Sequence, residues 1–157
     1  MLAGLALSLA GAGARAADSV PAPDFVLKAL DGHNYRLSEY RGEAVAVLFW
    51  ASWCGGCRRE LERLQSLRNV YGETGLQVLG VVVDERPDQA LAVATAAGIA
   101  YPQLVDAAKT VSRAYDLRNL PTILLIDRSG ALRFAHGEID VHAERELLAE
   151  LRTLLDE

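Results

Sequence analysis

The sequence is poor in cysteine and has no long run of positive charge, and each shortage excludes a class of protein. Only two of its 157 residues are cysteine, which is too few for a disulfide-stapled scaffold or for a zinc site with four thiolate ligands. Lysine and arginine number 16 against 21 acidic residues, and no basic run is longer than Arg58-Arg59. A nucleic-acid-binding surface therefore has no electrostatic basis here, and we expect no nucleic-acid partner.

After its first residues, the sequence also lacks an apolar run long enough to cross a membrane. A spanning helix needs about 20 apolar residues, whereas the runs at 78–83 and 123–126 are much shorter. Hydrophobic residues nevertheless make up 51% of the chain and charged residues 24%, a balance that supports a packed core and excludes global disorder. The length suits one domain, and the sequence shows no repeat and no interdomain linker.

The first 16 residues have the composition of a targeting segment. Residues 1–13 are small and apolar without a charged side chain, and Ala14-Arg15-Ala16 then provides an A-x-A site for cleavage before Ala17. The usual positive start is missing, because Leu2 follows Met1 directly. We predict a signal peptide or signal anchor over 1–16 and one domain over 17–157, in the periplasm or otherwise outside the cytoplasm, tethered there if the leader is retained. A buried N-terminal helix is the alternative.

Strands and helices alternate along residues 17–157, which predicts an α/β fold. The apolar run 44–50 is typical of a strand covered on both faces. Apolar residues at Leu61, Leu64 and Leu67 form one side of a helix over 57–71. The other predicted strands are 25–29, 35–37, 76–83, 123–127 and 131–136, and the other predicted helices are 39–41, 87–97, 109–116 and 141–156. This order predicts a central mixed sheet flanked by helices, with an N-terminal β-hairpin extension.

Cys54 and Cys57 follow the predicted central strand directly and open a helix. In a first helical turn, residues three apart lie on one face, with Cα atoms near the ~5.5 Å that a disulfide needs. The unpaired N–H groups and the macrodipole at the helix start favour a thiolate, so we expect a depressed pKa at Cys54 and nucleophilic attack by this residue. Cys57, inside the helix, is placed to resolve the mixed disulfide. The motif therefore predicts a redox-active dithiol.

Other uses of the cysteine pair stay open on the residues alone. A structural disulfide is allowed, although a four-residue loop constrains the unfolded chain only weakly. A zinc half-site needs two more ligands, and His33, His136 and His142 are scattered without metal-type spacing. A copper carrier is chemically allowed because soft thiolates suit Cu(I). We expect no cofactor and no metal ion.

Five stretches of sequence together indicate a known family. They are Ala22-Pro23-Asp24-Phe25 with Asp31-Gly32, then Phe49-Trp50-Ala51-Ser52-Trp53-Cys54-Gly55-Gly56-Cys57-Arg58-Arg59-Glu60, then Leu120-Pro121-Thr122, then Leu125-Ile126-Asp127-Arg128-Ser129-Gly130. This set resembles the thioredoxin-like superfamily, and within it the exported bacterial reductases of the TlpA/ResA type, over nearly all of residues 17–157. The resemblance implies a thioredoxin-like fold and a thiol:disulfide oxidoreductase that reduces protein disulfides.

The resemblance also implies roles for residues beyond the two cysteines. Pro121 matches the superfamily's cis-proline, which faces the disulfide and leaves the carbonyl of Leu120 to pair with substrate. Glu60 matches a glutamate three residues after the second cysteine, where a carboxylate opposes thiolate formation and can relay protons. Without the resemblance, a trans Pro121 and a solvated Glu60 are the ordinary expectations. Leu48 replaces the buried aspartate of cytoplasmic thioredoxins.

The residues around the cysteines are expected to face the substrate. Trp53 is predicted to shield the sulfurs, and Trp50 is a core or rim aromatic. Gly55 and Gly56 replace the commoner dipeptides that contain proline, which leaves the direction of catalysis open because this dipeptide tunes the redox potential.

The resemblance implies partners as well. An exported dithiol does not stay reduced unaided, so the chain needs a membrane electron donor of the thiol-transfer type. The predicted substrates are protein disulfides, for example in cytochrome c or metalloprotein maturation, and we expect a monomer. A peroxiredoxin-type peroxidase is one rival, although it expects threonine where Ala51 stands. A copper chaperone is the other, although it usually spaces its cysteines by three residues.

Overall fold

The computed structural model describes residues 20–157, so the predicted leader over 1–16 lies outside the described residues. The strands are β1 (Val20–Pro21), β2 (Val26–Lys28), β3 (Asn34–Arg36), β4 (Ala44–Trp50), β5 (Leu76–Val82), β6 (Gln103–Val105), β7 (Thr122–Ile126) and β8 (Ala131–His136). The helices are α1 (Cys57–Tyr71), α2 (Pro87–Ala96), α3 (Thr110–Ala114) and α4 (Val141–Asp156), with 3-10 turns at Leu37–Tyr40 and Gly72–Thr74. None of the helices between residues 20 and 157 has the length and apolar character needed to span a bilayer.

The central sheet is mixed, as the sequence predicts. Its strand order is β1-β8-β7-β4-β5-β6, and β2 pairs with β3 in a separate antiparallel hairpin. Strand β4 is parallel to β5 and antiparallel to β7. The carboxyl ends of β4 and β5 and the amino end of β7 therefore meet at one edge of the sheet, where the cysteine motif begins.

Every residue of β4 is buried, so both faces of the central sheet are covered at this strand. Ala44, Ala46, Leu48 and Trp50 pack in a core with α1 and α4, whereas Val45, Val47 and Phe49 pack in a second core with the hairpin and α3. This alternation explains why the sequence of β4 is apolar throughout. The amphipathic face of α1 contributes Leu61 and Leu64 to the first core.

The predicted bounds of β4, β8, α1 and α4 match the structure. Asp140 caps α4 by accepting hydrogen bonds from the backbone N–H groups of His142 and Ala143, both at 2.9 Å. These bonds, that of Ala143 first, hold the pKa of Asp140 below its usual value.

Strands β1 and β6 are not predicted from the sequence, because strands of two and three residues show no periodicity. Helix α3 is shorter than the predicted 109–116: Lys109 has a left-handed backbone, and the helix ends at Ala114. Ser38 lies inside the 3-10 turn, and its N–H and hydroxyl donate to the carboxylate of Asp24, at 2.9 and 2.8 Å.

Gln103 of β6 fixes the last residue of the central strand. The indole N–H of Trp50 donates to Oε1 of Gln103 at 2.8 Å, and Nε2 of Gln103 donates to the carbonyl of Tyr101 at 3.2 Å. Gly80 pairs with Gln103 across β5 and β6 and leaves room for this buried carboxamide. A polar side chain is tolerated here because its hydrogen bonds are made.

We expect Gly80→Ala to destabilise the protein by about 1–3 kcal/mol, because the new methyl group would overlap the carboxamide of Gln103 and displace it from Trp50. Denaturant unfolding of the oxidised protein measures the change. Gly72→Ala is the matched control: its methyl group would meet only Arg68 Cγ at 3.9 Å, so stability should be unchanged or higher. Equal stability of both variants would contradict the packing described for Gly80.

Candidate active site

Cys54 and Cys57 form a disulfide, with Cα atoms 5.4 Å apart. Cys57 is the first residue of α1 and is 1% exposed, whereas Cys54 lies in the preceding turn and is partly exposed. Trp53 beside it is 70% exposed. Solvent and other proteins therefore reach Cys54 but not Cys57. This is the asymmetry that the predicted roles of nucleophile and resolving residue require, and those roles stay predictions.

The turn that carries Cys54 is anchored from the neighbouring strand. Asp84, buried just beyond the end of β5, accepts hydrogen bonds from the backbone N–H of Ser52, at 2.9 Å, and from its hydroxyl. The N–H of Cys54 donates to the carbonyl of Ala51 at 3.1 Å, and that of Cys57 to Cys54 at 3.3 Å. Asp84 is not among the site residues predicted from the sequence, although an aspartate directly after a buried strand is a signal for such a residue.

A groove of about 610 Å³ runs beside Cys54. Pro121, whose peptide bond with Leu120 is cis, lines this groove because β7 begins where β4 ends. The lining comprises Trp53, Cys54, Gly55, Gly56, Val83, Lys109, Ser112, Leu117, Arg118, Asn119, Leu120, Pro121 and Glu138. All four residues predicted to face substrate, Trp53, Gly55, Gly56 and Leu120, are among them. The structure thus brings these predicted residues together around one accessible sulfur.

Glu60 does not line the groove; it lies in the interior, three residues after Cys57 on α1. Its side chain is fully buried; Oε2 accepts a hydrogen bond from Arg63 Nε at 3.0 Å, and Oε1 accepts a long one from the N–H of Ile139 at 3.4 Å. Arg63 also pairs with Glu144 of α4. The alternative of a solvated Glu60 is therefore wrong. The hydrogen bonds from Arg63 and Ile139 offset the cost of burying its carboxylate. Its role toward Cys57, one helical turn earlier, stays a prediction.

The histidines lie apart from the groove. His33 is exposed and faces Asp31 at 3.4 Å, and His136 pairs with Glu150. Between residues 20 and 157, no three His, Cys, Asp or Glu side chains are grouped as metal ligands.

Glu138 is a second residue of the site that the sequence does not predict. This residue lies between β8 and α4, lines the groove and forms an ion pair with Arg59 of α1. Arg59 is exposed but paired. The two residues are 79 positions apart, so no local pattern indicates the contact.

The sheet order, the disulfide at the start of α1 and the proline beside it define a thioredoxin-like redox protein. Residues 19–135 match the AhpC/TSA family, and the chain belongs to that family.

Relatives within this group are named for dithiol chemistry. The chain is 39% identical to the thiol-disulfide oxidoreductase ResA of Geobacillus kaustophilus over 112 residues, which are 71% of this chain and 64% of that protein. It thus spans just under two thirds of that relative's length. It is 32% identical to the ResA of Halalkalibacterium halodurans over 129 residues, which are 82% and 70% of the two chains.

The fold has close counterparts among solved structures. The crystal structure of a putative thiol:disulfide interchange protein DsbE from Chlorobium tepidum matches with a TM-score of 0.83 at 28% identity, covering 87% of this chain and 96% of that one. The predictions of a thioredoxin-like fold and of a redox enzyme family are confirmed.

We expect Glu60→Gln to destabilise the oxidised protein by about 1–3 kcal/mol, because the amide would lose the charge-assisted bond from Arg63 inside the protein. Denaturant unfolding measures this loss. The control is Glu62→Gln, which removes an exposed carboxylate paired with Arg58 on the same helix and should cost under about 1 kcal/mol. A Glu60 variant as stable as the control would contradict the buried ion pair.

Proposed function

We propose that the chain is an exported thiol-disulfide oxidoreductase that reduces protein disulfides through Cys54 and Cys57. The observation that carries this proposal is the disulfide with one accessible and one covered sulfur, opening onto a groove beside Pro121. The names of the relatives support the same chemistry.

The exchange proceeds in two steps that balance in electrons. In the reduced protein, the Cys54 thiolate attacks one sulfur of the substrate disulfide; a bond from Cys54 to that sulfur forms, and the other substrate sulfur leaves as a thiolate. Cys57 then attacks the Cys54 sulfur, the mixed disulfide breaks, and the second substrate sulfur leaves. The substrate gains two electrons, and the protein is left with the disulfide that the structure contains. The protons released by Cys54 and Cys57 balance those that the substrate thiolates take up.

Local structure supports this order of attack. Cys54 lies just before the first turn of α1, where unpaired N–H groups favour a thiolate. Cys57 is covered, so it meets the Cys54 sulfur but not a substrate protein. Glu60, buried one turn further, is the proposed proton-relay group on the Cys57 side.

The groove is the proposed substrate site. An extended substrate segment lying across it would pass Leu120 and Pro121 beside Cys54, with Trp53 over the sulfurs. Lys109, Arg118 and Glu138 add charges of both signs to its lining. This arrangement suits a polypeptide that carries a disulfide.

Export and electron supply complete the proposal. The apolar segment 1–13 and the A-x-A site support delivery to the periplasm or another extracytoplasmic space, either free or tethered by the leader. In that oxidising space a reductase needs a membrane donor of the thiol-transfer type to reduce its disulfide again. The proposed substrates are disulfides of cytochrome c precursors or of other metalloproteins with paired thiols. The proposed oligomeric state is a monomer.

The first prediction of this proposal separates the two cysteines. Expressed in an exporting host, Cys57→Ala should accumulate covalent adducts, because the mixed disulfide on Cys54 has no resolving thiol. Cys54→Ala is the matched control and should give few or none. Non-reducing gels with and without reductant detect the adducts, and mass spectrometry identifies the substrates. Equal trapping by both variants would contradict the roles. Trapping by neither folded variant would favour a structural or metal-carrying pair.

The second prediction concerns the direction of catalysis. A reductase should have a Cys54/Cys57 potential nearer to that of thioredoxin, about −270 mV, than to that of the oxidant DsbA, about −120 mV. No histidine or charged side chain stands between the cysteines to stabilise the thiolate further. Equilibration with glutathione buffers of known ratio measures the potential. A value above roughly −180 mV would indicate an oxidase or an isomerase.

A further inference from the structure

Glu138 contacts the dithiol loop from outside the cysteine motif. A Cβ atom at position 56 would lie 2.9 Å from Oε1 of Glu138 and 3.3 Å from Oε2, so the carboxylate lies directly against Gly56. Gly56 directly precedes Cys57, the first residue of α1. Glycine at this position therefore leaves the space that the carboxylate fills.

Of the two ion-paired residues Glu138 and Arg59, one lines the groove and the other does not. Glu138 lines the groove with Cys54, whereas Arg59, its ion-pair partner, belongs to the first turn of α1 behind Gly56 and does not line the groove. Both side chains are more than half exposed, at 54% and 61%. The ion pair thus presents its negative end to the side on which Cys54 is accessible.

We propose that Glu138 and Arg59 act as an opposed pair of positioning residues that sets how readily Cys54 becomes a thiolate. The negative charge of Glu138 disfavours the thiolate by like-charge repulsion, and Arg59 offsets that effect. The inference rests on the proposed function, because it assigns to these two residues the reactivity of the same dithiol.

Several other charged groups lie around the dithiol loop, and every variant below retains them. Glu60 and Arg63 lie on the interior side, and Asp84 lies beneath the loop, bonded to Ser52. Arg58 lies with Cys54 on the α2 side, and Lys109 and Arg118 lie across the groove. Glu138 is the charged group that lies against Gly56, and its partner Arg59 also has a longer contact with Glu60, at 3.9 Å.

The test measures the pKa of the Cys54 thiol in a Cys57→Ala background, where one cysteine titrates. Glu138→Gln should lower the pKa by about half a unit, because Arg59 then keeps only its longer contact with Glu60, at 3.9 Å. Arg59→Gln should raise the pKa by about as much. The double variant should lie near the parent. The rate of alkylation by iodoacetamide at a pH below the pKa then differs by roughly three-fold in opposite directions.

Gly56→Ala gives an independent variant. The residue has φ of −88°, which alanine adopts without strain, and its methyl group would displace the flexible end of Glu138. Gly56→Ala should therefore lower the thiol pKa as Glu138→Gln does, and should add nothing when the two changes are combined.

Glu43→Gln is the control for net charge. It makes the same change from carboxylate to amide, but beside the amino end of β4, where Glu43 bonds Gln77 and not the dithiol loop. About 20 Å of extended strand separates it from Cys54, well beyond the Debye length of ~10 Å at 0.1 M salt. The pKa of the Cys54 thiol in the Glu43→Gln variant should equal that in the parent. Raising the salt to about 1 M should shrink the shifts of the other variants.

Shifts of the same sign for Glu138→Gln and Arg59→Gln, or shifts no larger than that of Glu43→Gln, would overturn the inference. The outcome is separate from that of the proposed function. The titration needs no substrate, so opposed shifts in a protein that traps no substrate would keep the inference while the proposed function fails. Trapping by Cys57→Ala with no shifts would do the reverse.

Discussion

Burial of β4 on both faces is the constraint from which the site follows. A strand that is apolar on both sides must lie in the middle of the sheet, with β5 parallel on one side and β7 antiparallel on the other. The end of β4 then lies beside the end of β5 and the start of β7. Cys54 follows the first, Asp84 the second, and Pro121 precedes the third. Three distant parts of the sequence meet there because of one strand's composition.

The disulfide separates two electrostatic environments. On the groove side, Cys54 is accessible and its charged neighbours are exposed, so solvent and salt weaken their influence. On the interior side, the buried carboxylate of Glu60 is held by Arg63, which is itself mostly buried and bonded to α4. Interactions there are screened much less. In the proposed mechanism, the reaction with substrate and the internal step between the cysteines belong to different surroundings.

Local sequence patterns predicted much of this arrangement, and long-range contacts account for the rest. The seven apolar residues of β4 and the spacing of leucines in α1 specify their elements, so the position of the cysteines between them follows. Gln103 accepts a hydrogen bond from Trp50, 53 positions away, and Glu138 pairs with Arg59, 79 positions away. Neither contact leaves a periodic pattern. The burial of Glu60 likewise depends on the β8–α4 connection, which the α1 sequence does not contain.

That connection gives three consecutive residues separate tasks. Glu138 lies against Gly56, the N–H of Ile139 bonds Glu60, and Asp140 caps α4. Most surface connections tolerate inserted or deleted residues. Here one added residue would move at least one of these groups away from its partner, so a length change that is harmless elsewhere on the surface would uncap α4, expose Glu60 or release Gly56. The spacing of the loop matters as much as its composition.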